Sequence, residues 1–153
     1  MELILWRHAE AEENGGDDTQ RELTKRGKRQ AQRMSEWLRP LLVGEWRILV
    51  SPAKRTLQTV KALDMAFDVR EALGASSTPQ VVLREAGWPQ GEEDVIVVGH
   101  QPTLGEVAAI LMSGVEGDVG IRKGAVWWFA TRERGGLTEP LVRAVLNPQL
   151  LEA

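Results

Sequence analysis

The chain opens on Leu3-Ile4-Leu5-Trp6, a continuous apolar run of the kind found in a strand buried on both faces. Two later blocks share that character. Trp46-Arg47-Ile48-Leu49-Val50 ends at Ser51-Pro52, and Asp94-Val95-Ile96-Val97-Val98 runs into Gly99-His100-Gln101-Pro102. Between these blocks the apolar spacing becomes helical. Ala31, Met34, Leu38, Leu41 and Leu42 recur after Thr24, a candidate N-cap, and Pro40 predicts a stop near Arg39. A second helix is predicted over about residues 53–66, and a third from Thr103, its candidate cap, to about Met112. Residues 68–90 carry the weakest pattern: a Ser76-Ser77-Thr78-Pro79 break followed by a short strand at 81–83. Residues 125–131 and 141–146 read as two late strands, separated by the Glu133-Arg134-Gly135-Gly136 turn.

This alternation predicts a single α/β domain over residues 1–153, with helices on both faces of a mostly parallel sheet. A chain of this length buries enough surface for one core without covalent staples. In such sheets ligands bind beyond the carboxyl ends of the strands. The net charge of −3 argues against bulk electrostatic attachment to nucleic acid or an anionic membrane, so neither is expected as a partner. The first apolar run is too short for a signal peptide and lacks a preceding basic region, and the later runs are far below membrane-spanning length. A cytoplasmic location is the expectation.

What is missing narrows the chemistry further. The chain has no Cys and no Tyr, and its only histidines are His8 and His100. Disulfides, thiolate metal sites, cysteine and phenolic nucleophiles and a three-histidine metal centre are therefore excluded within one chain. Both histidines fall at predicted strand carboxyl ends. The first end delivers Arg7-His8, the second Ser51-Pro52-Ala53-Lys54-Arg55-Thr56, the third Gly99-His100-Gln101-Pro102-Thr103. If these strands are neighbours, two imidazoles and two guanidiniums converge on one rim. That set, with the positive ends of helices following Pro52 or Pro102, suits a tetrahedral oxyanion. A neutral imidazole among cations is a competent nucleophile toward phosphorus.

These residues also carry a resemblance. Arg7-His8-Ala9-Glu10 is similar to the Arg-His-Gly signature of the histidine phosphatase (phosphoglycerate mutase-like) superfamily. Arg21-Glu22-Leu23-Thr24-Lys25-Arg26-Gly27 resembles its Arg-Pro-Leu-Thr-x-x-Gly segment, and Ser51-Pro52-Ala53-Lys54-Arg55-Thr56-Leu57-Gln58-Thr59 its Ser-x-x-x-Arg-Ala-x-Gln-Thr segment. Val98-Gly99-His100-Gln101-Pro102 is similar to the family's late Gly-His or Ser-His strand end. The short length resembles the small SixA-type phosphohistidine phosphatases, which lack an inserted cap.

The resemblance implies a three-layer α/β/α, phosphoglycerate mutase-like fold. It implies a phosphoryl-accepting His8, a phosphate pocket of Arg7, Arg55 and His100, and Arg21 as a further positive contact. It also implies transfer through a phosphohistidine intermediate without metal or cofactor, and a phosphorylated protein or small phosphorylated molecule as substrate. Two positions depart from the pattern: Ala9 stands at the signature glycine, and Glu22 at the usual proline.

The general acid stays open at this level. Glu85 is the first candidate and Asp18 the second; lack of a convincing acid leans toward phosphohistidine, whose imidazole leaves more readily than an alkoxide. A small-molecule phosphomonoesterase and a non-catalytic phosphate-binding module are the alternatives. Ser51 and Thr59 read as hydrogen-bonded turn and helix residues. Asn14-Gly15-Gly16-Asp17-Asp18 reads as a polar turn rather than a lid, and Lys25-Arg26-Gly27-Lys28-Arg29 as a solvated helix face. Trp127-Trp128 reads as core and sheet edge.

Overall fold

The computed structural model describes residues 1–13 and 16–152. Its strands are β1 (Glu2–Arg7), β2 (Trp46–Val50), β3 (Asp68–Val69), β4 (Asp94–Gly99), β5 (Val126–Arg134) and β6 (Leu137–Leu146). The helices are α1 (Lys25–Leu38), α2 (Lys54–Lys61), α3 (Pro79–Ala86) and α4 (Thr103–Ser113). The sheet order is β3-β2-β4-β1-β5-β6. Pairing is parallel from β3 to β1 and antiparallel at β1–β5 and β5–β6. The sheet is thus mixed, with the expected parallel half and an added antiparallel hairpin.

Strand periodicity explains the layers. Side chains alternate across a sheet, so a continuous apolar strand feeds two cores. Leu3, Leu5, Leu49, Val95 and Val97 pack beneath α3 and α4, against Val82, Leu104, Val107 and Leu111. Their neighbours Ile4, Trp6, Ile48, Val50, Ile96 and Val98 face α1 and α2, against Met34, Leu38 and Val60. Thr24 caps α1 by accepting the Gly27 N–H at 2.9 Å, and the helix ends at Leu38, before Pro40, as expected. Among the described residues no helix is long and apolar enough to cross a membrane.

Three expectations are corrected. Residues 81–83 lie inside α3, not in a strand: Thr78 caps the helix, Pro79 occupies its first turn, and Gly87 closes it at φ +72°. A three-residue apolar run has too few positions to reveal its period. The second helix ends at Lys61 rather than near 66, followed by Asp64 in the left-handed region and an irregular link to β3. Thr103 does not cap α4, because Pro102 holds the cap position and the Thr103 hydroxyl donates to the Ser77 carbonyl at 3.2 Å. The late strands run longer than their apolar blocks and meet at Gly135-Gly136, both with positive φ. Trp128 is buried and its indole donates to Glu2 at 3.0 Å, in keeping with a core and edge role. Within the polar turn, Asn14 and Gly15 lie outside the described residues.

Candidate active site

The parallel register brings the three strand ends together. Arg7 pairs with Gly99 and Val50 with Val98, so His8, Ser51 and His100 follow on adjacent strands. The ends are tied: the His8 N–H donates to the Gly99 carbonyl and the Ser51 N–H to the Val98 carbonyl, each at 3.1 Å. The two imidazole centroids lie 5.5 Å apart, tilted by 56°. His8, His100 and Arg55 are all buried.

His8 is held by what immediately follows it. Its Nδ1 lies 2.7 Å from the Ala9 carbonyl, which can only accept. The ring therefore carries its proton on Nδ1 and leaves the Nε2 lone pair free. Burial lowers its pKa to about 3; the Ala9 bond opposes that shift, and His100, Arg55 and Arg7 reinforce it. The imidazole stays neutral at physiological pH.

The Ala9 peptide is fixed in turn. Its N–H donates to the Thr59 hydroxyl at 3.0 Å, and its methyl packs with Ala11, Leu23 and Ala31. Glycine is therefore not required at this position. The next residue explains the Leu-Thr-x-x-Gly segment. Thr24 donates to the Glu10 carboxylate at 2.7 Å, Gln30 accepts the Glu10 N–H at 3.0 Å, and a Cβ on Gly27 would stand 2.0 Å from the Glu10 carbonyl. Only glycine lets α1 approach the segment that follows the imidazole this closely. Glu22, at the usual proline, pairs with Lys54 at 3.2 Å, and its carbonyl accepts the Glu12 N–H at 2.8 Å.

Arg55 enters from the first turn of α2. It donates through Nη1 to the Asp18 carbonyl at 2.7 Å, and through Nη2 to the Asp18 carboxylate at 3.0 Å and to His100 Nδ1 at 3.2 Å. Arg7 is anchored through Nη1 to the Ile121 carbonyl at 2.7 Å. The Nε of each guanidinium is buried with no hydrogen-bond partner among the described residues. Unpaired buried donors are costly, and both of these belong to the cluster that holds the two imidazoles. His100 is placed by Ser51, whose Oγ lies 2.7 Å from Nε2. Burial, then Arg55, lowers its pKa to about 4.

The remaining candidates separate. Arg21 joins the site indirectly, donating to Asp18 at 3.1 Å and to the Glu12 carbonyl at 2.7 Å. Asp18 stands between Arg21 and Arg55, which hold its pKa below the usual carboxylate value. Glu85 is not brought to the cluster. Its carboxylate pairs with Arg70 at 3.1 Å and its carbonyl accepts from Arg47. Sequence reasoning missed Ile121 and the loop carrying it. Gln101 pins that loop, donating to the Val119 carbonyl at 2.9 Å while accepting the Gly105 N–H at 2.6 Å. Its visible signal is the run of glycines at 117, 120 and 124, the last with φ +78° and its N–H donating to the His8 carbonyl at 2.9 Å.

Known proteins are similar to this chain in sequence and in fold. Residues 3–77 match the model of the histidine phosphatase superfamily (branch 1). The phosphohistidine phosphatase SixA homolog of Haemophilus influenzae is 31% identical over 126 residues, covering 72% of this chain and 77% of that protein. The phosphohistidine phosphatase SixA of Escherichia coli is 27% identical over 128 residues, covering 74% and 76%. The fold matches the protein histidine phosphatase SixA solved with tungstate, with a TM-score of 0.83, 24% identity and coverage of 99% and 100%. By its motifs, its fold and these relatives, the chain belongs to the histidine phosphatase superfamily, in its SixA-type branch.

Proposed function

We propose that this chain dephosphorylates phosphohistidine in a protein, through a phosphoryl group carried on His8 Nε2. The observation that carries the reading is the pair of buried, unpartnered Nε–H groups of Arg7 and Arg55 beside an imidazole whose Nε2 is left unprotonated. In the first step the Nε2 lone pair attacks phosphorus. The bond to the substrate nitrogen breaks, and its electron pair leaves with the substrate imidazole. Arg7, Arg55 and His100 hold the phosphoryl oxygens throughout, and such charge stabilisation is the main source of rate in phosphoryl transfer. In the second step water attacks the same phosphorus, the bond to Nε2 breaks, and inorganic phosphate leaves with the water oxygen. The guanidiniums and His100 supply the charge stabilisation, so the activity is expected to persist in the presence of a chelator.

The substrate class follows from the acids. An alkoxide leaving group needs a proton donor, whereas Asp18 is held ionised between two arginines and Glu85 is paired with Arg70 away from the cluster. A nitrogen leaving group has less need of one. Incubation with a phosphohistidine-bearing protein is expected to release phosphate and to leave a trappable label on His8. His8→Ala should lower turnover at least about 10³-fold. Faster turnover of unactivated alkyl phosphates than of phosphohistidine would favour a small-molecule phosphomonoesterase instead. Tight phosphate binding with no turnover would favour a binding module.

A further inference from the structure

Both nitrogens of His100 have partners, Ser51 at Nε2 and Arg55 at Nδ1, and together these decide where the ring proton sits. Ser51 is fully buried, and its backbone is fixed on both sides: its N–H donates to the Val98 carbonyl, and its carbonyl accepts the Thr56 hydroxyl at 2.9 Å. Its Oγ meets His100 Nε2 at 2.7 Å and the Ala53 N–H at 3.3 Å. On the other side of the ring, Nδ1 faces the Arg55 Nη2, a group that can only donate. Nδ1 is therefore the unprotonated nitrogen, and the ring proton sits on Nε2, donated to Ser51. The serine uses its two lone pairs as acceptors, one for the imidazole and one for the N–H of Ala53, the residue before α2.

A bound phosphoryl group changes the demand on this ring. Its oxygens accept hydrogen bonds, and a bare Nδ1 lone pair turned toward them is repulsive. The groups acting on the ring are Arg55, Arg7, Arg21 and His8, with Asp18 opposing them, and an incoming dianion tips this balance toward the cation. We infer that Ser51 is a positioning residue for phosphoryl binding: by accepting Nε2–H it reserves Nδ1 of His100 to take up one proton from solvent when the anion arrives and to donate it to a phosphoryl oxygen. One new N–H bond forms at Nδ1, nothing is oxidised or reduced, and Arg55 Nη2 is released toward the anion. The inference rests on the proposed reaction for its purpose, but it makes a claim about anion binding that can be read without turnover.

The experiment uses the full chain, labelled with nitrogen-15, and tungstate as a dianion that brings no proton at neutral pH. The chain holds only two histidines, so a His8→Ala background leaves the His100 nitrogens as the sole imidazole signals. In the free protein Nδ1 should show the unprotonated type of shift and Nε2 the protonated type; with tungstate both should be of the protonated type. Calorimetry in buffers of different ionisation enthalpy should register uptake of one proton per tungstate. Ser51→Ala should weaken tungstate binding about 10- to 100-fold, because an unpaired buried N–H costs more on the charged ring of the complex than on the neutral ring of the free protein, and Ser51→Thr should restore most of it.

Protonated Nδ1 in the free protein overturns the inference, as does tungstate binding without proton uptake. Wild-type tungstate affinity in a folded Ser51→Ala variant overturns it too. If that variant fails to fold, the nitrogen shifts of the otherwise unaltered chain still decide. The expected tungstate response, together with no phosphatase activity in the chain that keeps His8, would defeat the proposed reaction and leave this inference standing.

Discussion

Strands β3, β2, β4 and β1 all run the same way, so the carboxyl ends of the last three deliver Ser51, His100 and His8 to one rim. The β5–β6 hairpin in the same sheet does the reverse. It begins at that rim, where Gly124 binds the His8 carbonyl, and runs antiparallel past Glu2 so that its Gly135-Gly136 turn projects beyond the opposite end. The rim is buried, with unpaired donors and depressed imidazole pKa values. The far hairpin is exposed and laced with surface ion pairs such as Arg132–Glu139. One sheet thus concentrates unmet polar demand at one end and satisfies it with solvent at the other. Free energy stored in unpaired groups is what a ligand can release, and this contrast is why we propose the rim as the functional end.

After His8, Arg55 should show the largest effect at the rim. Its guanidinium spans Asp18 and His100 while its Nε remains unpaired, so it should bind phosphoryl oxygens that no other side chain replaces. Arg55→Ala is expected to lower kcat/KM by about 10²- to 10³-fold in a steady-state assay on a phosphohistidine peptide, an effect of about 3–4 kcal/mol. Arg55→Lys should recover little, because an ammonium lacks the planar fork. Activity near that of the unaltered chain would mean that the rim is not where the anion binds.

Acid should act on the same rim. Both histidines have pKa values below their unfolded value of 6.5, at about 3 and about 4. Below pH 6.5 the unfolded chain takes up protons that the folded chain refuses, so stability contributed by these groups is present above that pH and lost as it falls. At pH 5.5 the two together should cost about 3 kcal/mol, read as a lower denaturant midpoint than at pH 7.5. Saturating phosphate should lessen the loss, because an anion favours protonation of the pocket. A flat midpoint between these pH values would contradict the burial of the imidazoles.

Gly27 probes the support behind His8. The Cβ of Gly27→Ala would press on the Glu10 carbonyl at 2.0 Å, so either α1 must withdraw or the Glu10 segment, two residues after the nucleophile, must shift. A loss of about 2 kcal/mol is expected, seen as a fall of roughly 4–8 °C in Tm, with reduced activity in the molecules that remain folded. A rise in Tm, the usual response to Gly→Ala within a helix, would show that α1 does not lie this close.

Much of the rim was legible because its residues sit where strand patterns end. Arg7, His8 and His100 each follow a continuous apolar block, and Arg55 falls one helical turn after Ser51-Pro52. The rest depended on long-range approach. Ile121 reaches Arg7 through a carbonyl, a group every residue has, so side-chain identity carries no trace of it. Asp18 became a partner of Arg55 only through the packing of its turn against α2, and Glu85 was drawn away by Arg70, which no local spacing announces. The strand expected at 81–83 failed for a different reason: with one buried position, Val82, flanked by two half-buried ones, the segment shows neither period distinctly.

The smallest effect belongs to the hairpin tip. Leu137 is 72% exposed and pairs only with Arg134 across the turn, so Leu137→Ser removes little buried area. Stability should change by less than about 0.5 kcal/mol, and kcat/KM on the phosphohistidine peptide should match that of the unaltered chain. A sizeable kinetic effect would mean that the hairpin transmits to the rim through Gly124, its sole backbone bond to the His8 carbonyl among the described residues. The two halves of the sheet would then be coupled, and the rim would not be confined to the parallel strands.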